Sequence, residues 1–180
     1  SFNFDIVFYD VTTLYFETFE EDELRKNGFS KDSKSQQPQI LVALMVTKEG
    51  FPIAFEIFSG NTFEGHTIIP TIKNFIGRNK VKEFTVVADA AMISSENITH
   101  LNQNEINYIV GARLGNLSRK LRGTIDEQIV RQDGKSIRIK TELGYLICSY
   151  SSVRYRKDLY EMNKQIEKAK QVVEVPSKSR

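Results

Sequence analysis

The sequence predicts an α/β domain built on a mixed β-sheet, and three observations carry that reading. The chain opens with FDIVFYDVTTLYF, an alternating, β-branched and aromatic segment of the kind that forms strands. Two apolar runs, ILVALMV and PIAFEIF, then flank Lys48-Glu49-Gly50, which reads as a β-hairpin. Beyond them, helix-like and strand-like segments alternate, a pattern that favours strands running parallel with helices packed on the sheet. A length of 180 residues suits one domain spanning 1–180.

Each element has its own signal. After the first strand, ETFEEDELRKNGFSKDSKSQQPQ is charged and ends in a Ser/Gln/Pro cluster, so it reads as a long loop or hairpin tip. In TFEGHTIIPTIKNFIGRNK, Ile68, Ile69, Ile72, Phe75 and Ile76 recur at helical spacing, with Pro70 in the first turn, where proline is tolerated. EFTVVADA is a fourth strand, and Ser94 and Ser95 open a second helix over ENITHLNQNE. INYIVGARL is a fifth strand. GNLSRKLRGTIDEQIVRQ reads as irregular and basic, and KSIRIKTELGYLICSYS as one more hairpin. The last long segment, SVRYRKDLYEMNKQIEKAKQVVE, is a helix of about six turns that Pro176 and the polar tail end.

Composition excludes several classes of function. No run approaches the length of a membrane span. The single Cys148 rules out an internal disulfide and fits a reducing compartment, so a cytoplasmic, nucleoid-associated location is expected. With only His66 and His100 beside that cysteine, a Cys/His zinc site is not available. Charge is unevenly spread. Residues 1–110 hold 9 Lys and Arg against 15 Asp and Glu, a net of −6, whereas residues 111–180 hold 16 against 8, a net of +8. A basic part beside an acidic part suggests a polyanionic partner and a cation site, or else an uneven surface without function.

Two acids stand out. Asp10 interrupts the apolar first strand, and Asp89 closes the fourth, in VVADAAMIS. A carboxylate inside an apolar strand is costly unless it is hydrogen-bonded, paired or metal-bound; otherwise it must lie on a solvated face. A strand-end Asp alone is most often a turn or helix-cap residue. In a mixed sheet, however, the first and fourth strands can lie side by side and parallel, which brings the two acids to one edge. Close carboxylates repel unless a divalent cation sits between them. Oxygen-only ligands favour Mg²⁺ or Mn²⁺, and two such ions assist phosphodiester chemistry.

At this point the sequence resembles a family. FYDVTTLYFE, FPIAFEIFSGNTFEGHTIIPTI, VVADAAMISSENI and a late basic helix ending QIEKAK are similar, in order, to the catalytic core of bacterial insertion-sequence transposases of the DDE type. The resemblance implies an RNase H-like fold: a mixed five-stranded sheet flanked by helices, here with a small extra β-hairpin before the final helix. It also implies that Asp10 and Asp89 are the first two metal-binding acids. The activity it implies is DNA strand cleavage and strand transfer, with DNA as partner and two copies of the chain in the assembled complex. Such proteins usually carry an N-terminal DNA-binding region ahead of the first catalytic strand, so the chain is expected to be part of a longer protein.

The third acid is the point of departure. The resemblance places a Glu on the final helix before the Ile-Glu-Lys-Ala ending, and that register falls on Asn163. At roughly 100° per residue, Tyr155, Leu159, Met162, Ile166, Ala169 and Val173 form an apolar stripe, with Asn163 about 80° from its centre and Glu161 about 120° away. Asn163 thus lies at the seam between the apolar stripe and solvent. Glu161 shares a charged face with Lys157, Lys164 and Lys168, and Glu167 lies one turn beyond Asn163. Either the chain has lost its third acid, or Glu161 is the fallback ligand in a different register. The first case allows a catalytically inactive or domesticated DNA-binding protein; a nuclease of the same fold is a further alternative. Arg113, Arg119, Lys120, Arg122, Arg154, Arg156 and Lys157 are candidate phosphate contacts, or a solvated basic face. His66 and Cys148 read as structural.

Overall fold

The computed structural model describes residues 4–30, 34, 36–81, 83–92 and 94–174. The tail from Pro176 lies outside them. The chain divides into two compact units, Ser1–Arg113 and Leu114–Arg180.

The first unit holds five strands and two helices. The strands are β1 (Ile6–Tyr15), β2 (Gln39–Thr47), β3 (Pro52–Ser59), β4 (Thr85–Ala88) and β5 (Asn107–Val110); the helices are α1 (Ile68–Asn79) and α2 (Ser95–Gln103). Sheet order is β3-β2-β1-β4-β5. β2 runs antiparallel to β1 and β3, while β4 runs parallel to β1 and β5. That is the mixed sheet of an RNase H-like domain. Gly50 turns the β2–β3 hairpin at φ +87°, a conformation that costs glycine nothing.

Alternation along the strands sorts the side chains onto two faces. From β1, Val7, Tyr9 and Val11 point into the core; Leu41, Ala43 and Met45 of β2 and Val86 and Ala88 of β4 join them. Ile68, Ile72 and Phe75 of α1 and Leu101 of α2 cover this face, and all four are at most 1% exposed. Phe75 sits at the centre, edge-on to Phe4 and Phe84 with ring centroids 5.6 and 5.5 Å away. On the other face of the sheet, Phe8, Leu44, Phe55 and Ile109 are exposed.

One polar thread runs through the covered face. The Tyr9 hydroxyl and Thr67 Oγ1 are 2.6 Å apart, and Thr71 Oγ1 donates to the carbonyl of Thr67. Burial pushes the Tyr9 phenol up to about 12. Its folded pKa lies above the ordinary value near 10, so the folded state holds its proton longer than the unfolded chain does. Stability is therefore full below pH 10 and falls as pH rises from about 10 to about 12, by about 2–3 kcal/mol in all. Urea unfolding followed across that window should show the slope, and Tyr9→Phe should remove it.

The second unit holds α3 (Arg119–Gln128), the antiparallel hairpin β6 (Ser136–Thr141) and β7 (Gly144–Ser149), and α4 (Ser152–Glu174). The extra hairpin and the long final helix agree with the sequence. α3 corrects it, because this stretch was expected to be irregular. Ser118 caps the helix by accepting from the Leu121 amide, and Ile125 is its buried anchor. The basic residues and the central Gly123 hide that short apolar pattern.

α4 has a cap of its own. Asp133 accepts hydrogen bonds from the Ser152 amide, at 2.7 Å, and from the Ser152 hydroxyl. These bonds hold the Asp133 carboxyl below its usual range. A depressed carboxyl stabilises the fold above its unfolded pKa, and that contribution is lost as pH falls through the folded value. Amide exchange in the first turn of α4 should therefore rise below about pH 4, and Asp133→Ala should raise it at all pH values.

Candidate active site

Asp10 and Asp89 are brought together by strand register. In the parallel β1–β4 ladder the last paired residues are Tyr9 and Ala88, and each acid is the next residue along its strand. Neighbouring strands lie about 4.8 Å apart, so the two residues follow adjacent strand positions. Tyr9 and Ala88 are core residues, so the period of two puts Asp10 on the opposite, open face, and Asp89 begins the turn that follows β4. Both are exposed. Solvation, not burial, is thus what Asp10 experiences, and the costly alternative raised by its apolar neighbours does not arise.

The two acids are held differently. Asp89 follows β4 directly, and its Oδ1 accepts from the amides of Ala91 at 2.8 Å and Met92 at 3.3 Å. The turn that a strand-end Asp often makes is therefore present, and it leaves Oδ2 without a protein donor among the described residues. Asp10 has no ion pair or hydrogen bond through its side chain among them. Among the described residues, no lysine or arginine pairs with either acid. Two adjacent oxygen donors without a cationic partner suit a hard divalent cation, which often takes one or two carboxylates and completes its shell with water and phosphate. Among the described residues, no group of three or more His, Cys, Asp or Glu gathers at one point.

The other predicted residues lie elsewhere. Asn163 and Glu161 are exposed on α4 of the second unit. Leu159, Met162 and Ile166, from the apolar stripe of that helix, are 37%, 50% and 44% exposed. Glu167 is engaged with Lys170 at 2.8 Å. Arg113 ends the first unit; Arg119, Lys120 and Arg122 are in α3, and Arg154, Arg156 and Lys157 in the first two turns of α4. All seven are exposed; Arg156 helps hold the Asp133 carboxyl charged and donates to the Ser152 carbonyl. His66 stacks edge-on against Phe63, a local contact.

Sequence reasoning passed over Asn97. It is 6% exposed, and its Nδ2 donates to the carbonyls of Gly65 at 2.6 Å and Met92 at 2.8 Å. Its place in the Ser-x-Glu-Asn motif was the only signal. The glycine of the Gly-Asn-Thr motif is explained as well: a Cβ on Gly60 would overlap the carbonyl oxygens of Gln39 and Lys26.

The chain belongs to the transposase DDE domain family, whose model matches residues 2–178. Among solved structures, it is similar to the Mos1 transposase paired-end complex with left transposon end, at 9% identity and a TM-score of 0.41. That match covers 69% of this chain and 47% of the Mos1 chain. It is also similar to the piggyBac transposase synaptic complex with hairpin DNA, at 13% identity and a TM-score of 0.49, covering 82% of this chain and 34% of that one. The chain thus spans less than half the length of either. No curated protein sequence matches it.

Proposed function

We propose that this is the catalytic domain of a bacterial insertion-sequence transposase, which cuts and joins DNA strands with Mg²⁺ or Mn²⁺. The observation that carries the reading is that Asp10 and Asp89 each directly follow the last pair, Tyr9 and Ala88, of the parallel β1–β4 ladder. Asp10 and Asp89 would hold the metal. When bound, the metal would activate the attacking oxygen and neutralise charge on the phosphate. Asp89 offers a carboxylate already oriented by two backbone amides, so less of its freedom is lost on binding. Asp10 comes from the middle of a ten-residue strand and is paired with Leu44 of β2. Asn163 is the third ligand in this reading; its amide oxygen carries no charge, so it holds a cation more weakly than Glu would. Glu161 is the fallback. The exposed Arg and Lys residues of α3, of α4 and at position 113 would contact phosphates. DNA is the partner, two copies of the chain would act in the assembled complex, and the bacterial cytoplasm is the location.

A second reading is a catalytically inactive DNA-binding protein of the same origin, and Asn163 favours it. A nicking assay on a labelled DNA duplex with Mn²⁺ separates the two. Metal-dependent nicking by the parent, lost in Asp10→Ala, supports the enzyme. DNA binding without nicking, unchanged by Asp10→Ala or Asn163→Glu, supports the inactive protein. DNA binding that does not weaken with salt, or that survives replacement of Arg119, Lys120 and Arg122 together, would remove the basic residues from the interface.

A further inference from the structure

We propose that Asn97 is a positioning residue that holds the Asp89 turn in register with Asp10. The inference rests on reading those two acids as the metal-holding pair. Among the described residues neither acid has a cationic partner, so their spacing depends on the backbone that carries them. Asn97 uses both hydrogens of its buried amide. One bond goes to the Gly65 carbonyl and one to the Met92 carbonyl. Met92 in turn donates its amide to Asp89 Oδ1. The Asp89 turn is thereby tied to the short 3-10 turn Glu64–His66.

That same turn is tied to β1. Thr67 Oγ1 donates to the Glu64 carbonyl at 2.6 Å and lies within hydrogen-bond distance of the Tyr9 hydroxyl. Tyr9 is the residue before Asp10. The segment from Glu64 to Thr67 is therefore bonded to β1 through Thr67 and Tyr9 and, by way of Asn97, to the turn that follows β4. Gly65 is buried, and a Cβ there would press on the Phe63 ring. The segment sits tight enough to transmit position. Without Asn97, the carbonyls of Gly65 and Met92 lose their shared donor inside the protein, where unmade hydrogen bonds are costly. The turn carrying Asp89 would then move away from its register beside Asp10. Groups that orient metal ligands from behind commonly change metal affinity by about 10–100-fold when removed.

The test compares Asn97→Ala and Asn97→Ser with Leu101→Ala. Leu101 lies on the same helix and is 0% exposed, but makes no bond to the Asp89 turn. Each protein is measured in two ways: Mn²⁺ affinity by calorimetry, and hydrogen exchange of the Ala91 and Met92 amides without metal. Asn97→Ala is expected to weaken Mn²⁺ about 10–100-fold and to speed exchange at both amides. Asn97→Ser, with one shorter donor, should fall between it and the parent. Leu101→Ala should lower thermal stability at least as much yet leave both readouts near the parent's. Equal effects from Leu101→Ala, or unchanged exchange in the Asn97 variants, would overturn the proposal. If the parent binds no Mn²⁺, the metal reading fails separately, and exchange alone decides whether Asn97 holds the turn.

Discussion

Asp10→Ala is expected to abolish Mn²⁺ binding, and Asn163→Glu to strengthen it. Asp10 and Asp89 each follow the last pair of the β1–β4 ladder, Tyr9 and Ala88, and none of the described lysines or arginines pairs with them. Removing Asp10 leaves one carboxylate, exposed and already bonded through one oxygen to two amides. A lone exposed carboxylate holds a hydrated divalent ion too weakly to measure by titration. Asn163 offers a neutral oxygen. Replacing it with Glu adds one unit of negative charge and, if Asn163 is the third ligand, should tighten Mn²⁺ by about tenfold or more, which is about 1.4 kcal/mol. Four proteins decide the matter by calorimetry: the parent, each single variant, and the double variant. In the double variant the gain should vanish, because a third ligand cannot replace the first. Weaker Mn²⁺ binding in Glu161→Gln, with no gain from Asn163→Glu, would move the third position to Glu161. No gain from Asn163→Glu, with Asp10→Ala indistinguishable from the parent, would mean that the acids hold no metal.

Phe75→Ala should cost the first unit about 3–5 kcal/mol, a large share of a small domain's stability. Phe75 is 1% exposed and packs edge-on between Phe4 and Phe84. Truncation removes apolar surface and leaves a cavity that the rigid sheet cannot close. Phe8 is the control. It lies on the open face, 42% exposed, so Phe8→Ala should cost far less. Urea unfolding followed by circular dichroism measures both. Equal losses would mean that the two faces of the sheet have been assigned the wrong way round.

Local patterns told most of the architecture. The alternation in IVFYDVTTLY determined both that β1 is a strand and that Asp10 lies opposite Tyr9 and Val11. Gly50 marked the hairpin, Ser94 the start of α2, and the spacing of Ile68, Ile72 and Phe75 the buried stripe of α1. These signals work because strand and helix periods of two and 3.6 residues act over a few neighbours. α3 escaped for the same reason. Its local signal, Ser118 with Leu121 and Ile125, is short, and Gly123 lies inside it.

What only the tertiary structure decided is non-local. The sequence named Asp10 and Asp89 separately and offered β1 beside β4 as one arrangement of the strands. The fold chose it, by passing the chain from β3 through α1 into a strand parallel to β1. Pairing across 79 positions depends on loop closure and shared burial, which no local window contains. The same holds for Asn97, whose two carbonyl partners come from different turns and become neighbours only when α2 packs on the sheet. Asp10 shows the limit most plainly: its identity and its face were legible along the strand, but its solvation was decided by which face of the sheet the first unit's helices cover.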